Sequence, residues 1–563
     1  MLSTLRPLAF LPLLAASAAF GQYDLIIRDA KIVDGTGNPW QYGDVAVLGD
    51  TIAAVGDVPD SATADTVVHA GKTLVLAPGF IDVHTHIDSD VYDRPLAENF
   101  TRNGVTTAVT GNCGYSEKDM AEYFDNMTTQ GMAINIASLI GHNTILRNVK
   151  GNVAGELTED QLAEAKAMVE KAMRDGAVGM STGLIYTPGT YSPLDEIVAM
   201  QSVAAQHGGI YASHMRSESL EILAAIDEAL DVGRGANSRV QISHFKMPRD
   251  MVERIGGSDT TLAKVEQARA EGMEVWIDQY PYTASSTSMS VLFPEWVLEQ
   301  GHDKAKDMLE DAEVLVKYYK DMADHHEGNR LRKDLSFAVV AYCRWNPEYQ
   351  GLNLQEMAQI FALQDANGED VDWKAIPREE WPTVTMKDQY EAVRRIYQAG
   401  GASGVFHTLP EEQVVNIMQH PLVAICSDSG IREYGAGKPH PRGYGSNARV
   451  LGRYVRELGA LRLEDAIRKM TSLPATAFDF HDRGVIAEGK AADLVLFDPE
   501  TVTDNATFVE PHAYSTGFKL VIVNGEIVVQ DDEATGAKPG RVVYGPGWSG
   551  SEGGKPIAMA VSE

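Results

Sequence analysis

Residues 210–246 read IYASHMRSESLEILAAIDEALDVGRGANSRVQISHFK, and the fold is decided in this stretch. IYASHMRSE (210–218) and RVQISHFK (239–246) each carry a short strand-like apolar run and a histidine, whereas SLEILAAIDEALDVG (219–233) spaces its apolar residues at helical intervals. Strand, amphipathic helix, strand is the repeating unit of a sheet whose neighbouring strands run parallel. The rhythm extends both ways. FIDVHTH (80–86), VTTAVTGNCG (105–114), INIASLIGH (134–142) and AVGMSTGLIY (177–186) come before it, and EVWIDQYPY (274–282) and VAICSDSG (423–430) after it. A second clear helix, TEDQLAEAKAMVEKAMRDGA (158–177), separates two of these runs. Eight strands alternating with helices predict an α/β fold, a (β/α)8 TIM-like barrel, with a doubly wound sheet as the competing architecture.

The flanks have a different period. YDLIIRDAKIVDGTG (23–37), DVAVLGDTIAAVGDV (44–58) and DTVVHAGKTLVLAPG (65–79) alternate with period two between Gly-rich turns, and the pattern returns in KAADLVLFDPETV (490–502), FKLVIVNGEIVVQ (518–530) and GRVVYG (540–545). Neither flank is large enough for a core of its own, so residues 23–78 and 479–545 are expected to form one small β-domain around a barrel spanning 79–478. Residues 283–408, after the seventh strand, are too long for one strand-to-helix connection and read as an insertion with its own helices and the strand-like LSFAVVAYC (335–343). Residues 546–563 read as a Gly- and Ser-rich flexible tail.

The first 22 residues, MLSTLRPLAFLPLLAASAAFGQ, place Arg6 ahead of an apolar stretch from Leu8 to Ala19 and small residues before Gln22. That is the pattern of a cleaved signal peptide, so the protein is expected to be exported to the periplasm or beyond. The chain as a whole has 48 Lys and Arg against 79 Asp and Glu, a formal charge of −31, which argues against nucleic acid or an anionic membrane as partner. No apolar run is long enough to span a bilayer. Three cysteines, Cys113, Cys343 and Cys426, are too few and too odd in number for a disulfide framework, so burial or metal binding is the expected fate of each.

The candidate chemistry gathers at strand ends. His84 and His86 close the first strand and, two apart, can face one ion. Cys113 follows the second strand, His214 the fifth, His244 the sixth and Asp428 the eighth. In a barrel those ends converge on the face where active sites are built, and imidazole, thiolate and carboxylate are the ligands zinc takes. One rival motif is present: Gly179-Met180-Ser181-Thr182-Gly183 matches G-x-S-x-G, the turn that exposes a nucleophilic serine. That turn needs a helix at once, whereas LIYTPGTYSP (184–193), with two prolines, follows here.

PGFIDVHTH, GNCGYS, STGLIYTPGTY, SHMRSE, SHFK, SDSG, HPRGYG and RGVIAEGKAADLVLFD occur in order, and with them the chain resembles the amidohydrolase superfamily over residues 23–545. The combination of GNCG, SHFK and HPR resembles its D-aminoacylase (N-acyl-D-amino-acid deacylase) branch. The resemblance implies a metal-dependent barrel hydrolase of N-acyl-D-amino acids, with a Zn2+ held tightly by Cys113, His214 and His244. It gives His84 and His86 to a second, weaker metal position. Many superfamily members bridge two metals through a carboxylated lysine on the fourth strand; AVGMSTG has no lysine and no acid. Asp428 is implied as base and then acid, taking a proton from water and returning it to the leaving nitrogen. Lys246 and Arg442 are implied partners of the substrate carboxylate, with hydroxyls from Tyr186 and Tyr282. The expected partner is this small molecule, with neither nucleic acid nor membrane. A related barrel hydrolase of dipeptides or cyclic amides, or an exported binding protein without catalysis, are the alternative readings. TASSTSMSVLFPEWVLEQGHD (283–303) has no Lys or Arg but offers Met289, Val291, Leu292 and Phe293, so a neutral or hydrophobic substrate side chain is expected over an acidic one.

Overall fold

The computed structural model describes residues 22–326 and 333–550. Of the expected leader only Gln22 is described, and residues 551–563 of the expected tail also lie outside the described residues.

Eight parallel strands form the barrel: Phe80–Asp82, Val105–Thr110, Asn135–Ser138, Gly179–Gly183, Ile210–His214, Val240–Ile242, Val275–Gln279 and Val423–Ile425. Each pairs with its neighbour in chain order, and Ile140–Gly141 carries the third strand on to its contact with the fourth. The ring closes where Thr85 bridges Ser429 in parallel and the Asp428 N–H donates to the His84 carbonyl at 2.9 Å. Closure thus runs through the residues that carry the chemistry.

Local sequence explains the helices around it. Glu159–Asp175 starts at a capping box, with the Thr158 side chain on the Gln161 N–H and the Gln161 side chain on the Thr158 N–H. It stops at Gly176, whose φ of 109° lets the chain turn off the helix, and it buries Ala165, Val169, Ala172 and Met173. Ser181 is not on a nucleophile turn. It sits within the fourth strand, its hydroxyl accepting from the Gly114 N–H at 3.0 Å, and the next long helix begins only at Leu194.

The small β-domain is one nine-stranded sheet drawn from both chain ends. Val75–Pro78 pairs antiparallel with Leu494–Phe497, so the strand that leads into the barrel is also the seam between the two halves. The insertion after the seventh strand folds around its own core. Strands Ser285–Ser288, Ala338–Tyr342 and Ser403–Phe406 form an antiparallel sheet, and helices Ala312–His326, Leu354–Asn367 and Met386–Gln398 pack with it.

The C-terminal segment differs from the expected division. The β-domain's last strand ends at Ala534, and the chain then runs along the barrel: Val542 bridges Ile136, and the Gly545 N–H donates to the Gly176 carbonyl at 2.8 Å. Residues 546–550, expected as the start of a flexible tail, lie there too, with Trp548 stacked on Tyr544 at 4.1 Å between ring centroids. The glycines set the expectation of flexibility; the two aromatic rings anchor the segment. Among the described residues no helix is long and apolar enough to cross a membrane.

Candidate active site

Cys113, His244 and Asp428 each follow a barrel strand, and each has a left-handed backbone, with φ of 52°, 36° and 50°. Such conformations cost of order 1–3 kcal/mol for residues with a side chain and persist only where surrounding structure fixes them. Here the packing does so. A Cβ on Gly183 would lie 2.0 Å from the Cys113 carbonyl oxygen, and one on Gly114 2.7 Å from the Gly183 nitrogen. The glycines of GNCG and STG let the second and fourth strand ends close on each other, which turns the thiol inward.

The Cys113 Sγ lies 3.4 Å from His214 Nδ1 and 3.5 Å from His244 Nε2, and those nitrogens are 2.8 Å apart. Tetrahedral zinc with these donors needs edges of about 3.3 Å between nitrogens and about 3.6 Å between nitrogen and sulfur. The thiol and the two imidazoles therefore fit one small, thiophilic cation after a slight opening of the histidine pair. His84 Nε2 comes within 3.3 Å of the same sulfur, and His84, His86 and Cys113 form a second, overlapping group of donors. All these side chains are buried except His86, which is partly exposed. Burial pushes the Cys113 thiol up, but the imidazoles of His84, His214 and His244 outweigh it and hold it well below the ordinary thiol range.

Asp428 is the hinge between the metal-type donors and the cationic wall. Its Oδ1 lies 3.1 Å from His86 Nε2 and 3.6 Å from His84 Nε2, and its Oδ2 accepts from Arg442 Nη1 at 2.8 Å. Burial raises this carboxyl, yet Arg442 and then the histidines hold it well below the usual carboxylate range. Lys246 Nζ pairs with Glu218 Oε1 and lies 2.9 Å from His244 Nδ1.

Two acids that sequence reasoning missed orient the imidazoles. Asp278, on the seventh strand, is 3.3 Å from His84 Nδ1 and accepts from the His244 N–H at 2.7 Å and from Gln241. Glu218 lies 2.9 Å from His244 Nδ1 and 3.9 Å from His214 Nε2. Glu218 is close enough to His244 Nδ1 to orient that ring, while Asp278 and Glu218 lie behind His84 and His214 as counter-charges. The available signal was an aspartate inside the apolar run VWIDQ (275–279), where no surface role can place it.

These residues floor a cavity of about 630 Å3 whose far wall comes from the insertion. His86, Cys113, Tyr186, His214, His244, Lys246, Asp428 and Arg442 all line it; His84 lies beneath. The Tyr186 hydroxyl meets Thr287 Oγ1 of the insertion at 2.9 Å. Tyr282 is a correction. It points away from the cavity, its hydroxyl 3.4 Å from the Pro441 carbonyl and its ring under Arg449, and Tyr280 lines the wall instead. The chain leaves the strand after Gln279, so a tyrosine three residues on no longer follows the strand's inward alternation. Of the four apolar residues expected at the substrate side chain, Val291 and Leu292 line the cavity, while Met289 and Phe293 are buried in the insertion's own core. Arg147 and Arg432, from other segments, also reach the lining.

Residues 75–360 match a model described as "Amidohydrolase family", and residues 341–529 match a second model of the same description. The chain is 32% identical to the D-aminoacylase of Alcaligenes xylosoxydans xylosoxydans over 92% of this chain and 97% of that one. It is 34% identical to the N-acyl-D-glutamate deacylase of the same organism, over 92% and 96%. Among solved structures, the N-acyl-D-glutamate deacylase of Bordetella bronchiseptica, complexed with zinc and a phosphonate mimic of the tetrahedral intermediate, superposes with a TM-score of 0.76 at 31% identity, covering 93% of this chain and all of that one.

Proposed function

The chain belongs to the amidohydrolase family, in its D-aminoacylase branch, and is a metal-dependent hydrolase of amide bonds; on that premise we propose that its substrates are N-acyl-D-amino acids. The products are a carboxylate and a free D-amino acid. One observation carries the reading: the thiol of Cys113, the imidazoles of His214 and His244 and the carboxylate of Asp428 converge on the floor of a cavity sized for a small molecule.

In this reading Cys113, His214 and His244 hold one zinc ion tightly, and His84 and His86 offer a second, weaker position. Zinc supplies Lewis-acid activation of water and of the scissile carbonyl. Asp428, kept ionised by Arg442, takes the proton from water and delivers it to the amide nitrogen, which leaves only once protonated. Glu218 and Asp278 hold the imidazole rings in place. Lys246, Arg442 and Tyr186 form the polar wall facing the substrate. A pure binding role leaves the ionised, buried Asp428 without a purpose, and the absence of a lysine or acid from AVGMSTG on the fourth strand argues against a permanently bridged pair of metals.

For the substrate side chain we favour neutral or hydrophobic groups. Val291, Leu292, Leu298, Phe337 and Phe406 offer apolar surface on the insertion's wall, among its serines and threonines, and a carboxylate set against that surface is costly. Overall identity does not choose, since the two deacylases named above match almost equally well. Steady-state rates on N-acetyl-D-leucine, N-acetyl-D-methionine, N-acetyl-D-glutamate and N-acetyl-L-leucine test the proposal. Higher kcat/KM for the neutral D-substrates is expected. Preference for the L-substrate overturns the substrate class, and an equal or higher value for glutamate overturns the apolar wall.

A further inference from the structure

An N-acyl amino acid presents three groups around its scissile amide: a free carboxylate, a side chain and the acyl chain. In the reading above, the carboxylate faces Lys246 and Arg442 and the side chain faces the apolar surface of the insertion. The acyl chain leaves the amide on the side away from the carboxylate. In a ring of eight strands closed in chain order, the ends of the second, third and fourth strands face those of the sixth, seventh and eighth. The cavity extends that way. Beyond Tyr186 it is lined by Tyr115, Arg147 and Thr187, from the segments after the second, third and fourth strands, and by His302 of the insertion.

Arg147 is the cation at this end. It sits in the last turn of the helix His142–Val149, which follows the third strand. Its guanidinium lies 4.5 Å from the centre of the Tyr115 ring, with Nη2 donating to the Tyr115 hydroxyl at 3.2 Å and Nε to Asn152 Oδ1 at 3.3 Å. The Tyr115 hydroxyl donates in turn to the Thr187 carbonyl at 3.2 Å. Among the described residues no carboxylate oxygen lies within ion-pair distance of Arg147, and its Nη1 has no hydrogen-bond partner in the protein. Burial and then the Arg147 charge hold His302 below the ordinary imidazole range, so that ring adds no charge at neutral pH. The insertion is tied to this rim. The Ala154 N–H donates to the Glu299 carbonyl at 2.9 Å, and the Tyr191 hydroxyl to the Glu295 carbonyl at 3.2 Å. Ring centroids step from His214 to Tyr186 over 4.8 Å and from Tyr186 to Tyr115 over 6.0 Å, so a chain of several atoms leads from the metal-type donors to the guanidinium.

We propose that this end of the cavity receives the acyl chain, and that Arg147 selects acyl groups ending in a carboxylate, the half-amides of linear dicarboxylic acids, over acyl groups ending in an ammonium. The assignment rests on the N-acyl-D-amino acid reading above and deepens it by naming the class of acid released. The bond chemistry is unchanged. With N-succinyl-D-leucine, the water oxygen bonds to the succinyl carbonyl carbon, the C–N bond breaks, and the proton passes to the nitrogen, giving succinate and D-leucine. An acyl chain that ends in an ammonium meets an unpaired guanidinium of like charge, which disfavours it.

Steady-state rates of the zinc-loaded protein on matched acyl chains test it. N-succinyl-, N-glutaryl- and N-adipoyl-D-leucine are each compared with the neutral chain of equal length, N-butanoyl-, N-pentanoyl- and N-hexanoyl-D-leucine, and N-(4-aminobutanoyl)-D-leucine supplies the reversed charge. At the best length, kcat/KM for the diacid should exceed that of its neutral partner by about fivefold, the upper end for a solvent-accessible ion pair, with the gain mainly in KM. The aminobutanoyl substrate should fall below the pentanoyl one. Arg147→Gln should bring the diacid-to-neutral ratio within about twofold of one, and Arg147→Glu should reverse the order of the two charges. If no diacid outruns its neutral partner, or both variants keep the native order, the assignment is overturned. It is equally overturned if the Arg147-dependent gain appears for N-acetyl-D-glutamate instead, which puts the side chain at this end. Turnover of N-acetyl-D-leucine with no preference among acyl charges removes the acyl assignment and leaves the deacylase reading standing, whereas no turnover of any N-acyl-D-amino acid removes both.

Discussion

Cys113 illustrates how much one residue's meaning depends on its neighbours. Alone, a single buried cysteine in an apolar stretch is a packing residue; beside His214 and His244, at 3.4 and 3.5 Å, it becomes a metal-type thiolate. Purified Cys113→Ala is expected to lose both tightly bound zinc and turnover, as read by elemental analysis and a rate assay on the same sample. Full metal content in that variant contradicts the donor set. Asp428→Asn separates proton transfer from metal binding. It should keep its zinc and lose at least about a hundredfold in kcat, the usual scale for a general acid–base group, and a near-normal kcat assigns the proton to another residue. The residues legible in the sequence were those at strand ends, because strand direction alone brings them to one face. Asp278 and Glu218 act through three-dimensional contacts with those residues, and Tyr282 was misplaced because strand alternation ceases at Gln279. No spacing rule reaches past a strand's end.

At the scale of elements, the barrel was readable because its strand–helix rhythm repeats, and the two ends of the β-domain because period two is unmistakable. The insertion was visible only as an interruption. Its three strands pair antiparallel across long intervals of sequence, and nothing local marks Ser285–Ser288, with four hydroxyls and no apolar alternation, as a strand beside the cavity. The insertion has a core separate from that of the barrel, so damage there should stay there. Leu354, fully buried in that core, is a suitable probe. Leu354→Ala should cost about 2–5 kcal/mol of stability through the cavity it leaves. The insertion should unfold at lower denaturant and KM should rise, with zinc content unchanged. Loss of zinc in parallel contradicts the separation between wall and floor.

The whole molecule is a barrel clamped to a sheet made from both its termini. Arg483 Nη1 and Asp493 Oδ2 lie 2.6 Å apart in the buried seam, where Asp493 also accepts from Asn135 of the third barrel strand and from the Asn524 N–H of the β-domain. Removing one partner of such a pair leaves a buried charge uncompensated, so Asp493→Ala should destabilise the protein by about 3–5 kcal/mol in chemical denaturation. An unchanged midpoint places the clamp elsewhere. That seam holds the first three barrel strands against the β-sheet, and the first strand and its successor supply His84, His86 and Cys113 to the site. The floor, the carboxylate of Asp428 and the cavity wall thus come from different parts of the chain and meet at one cavity. The most direct measurement is to strip the purified protein with a chelator and titrate zinc back while following release of D-leucine from N-acetyl-D-leucine. No turnover is expected without metal, and near-maximal turnover at one zinc per chain. Full activity in the stripped protein, or a requirement for two ions before any activity appears, contradicts it.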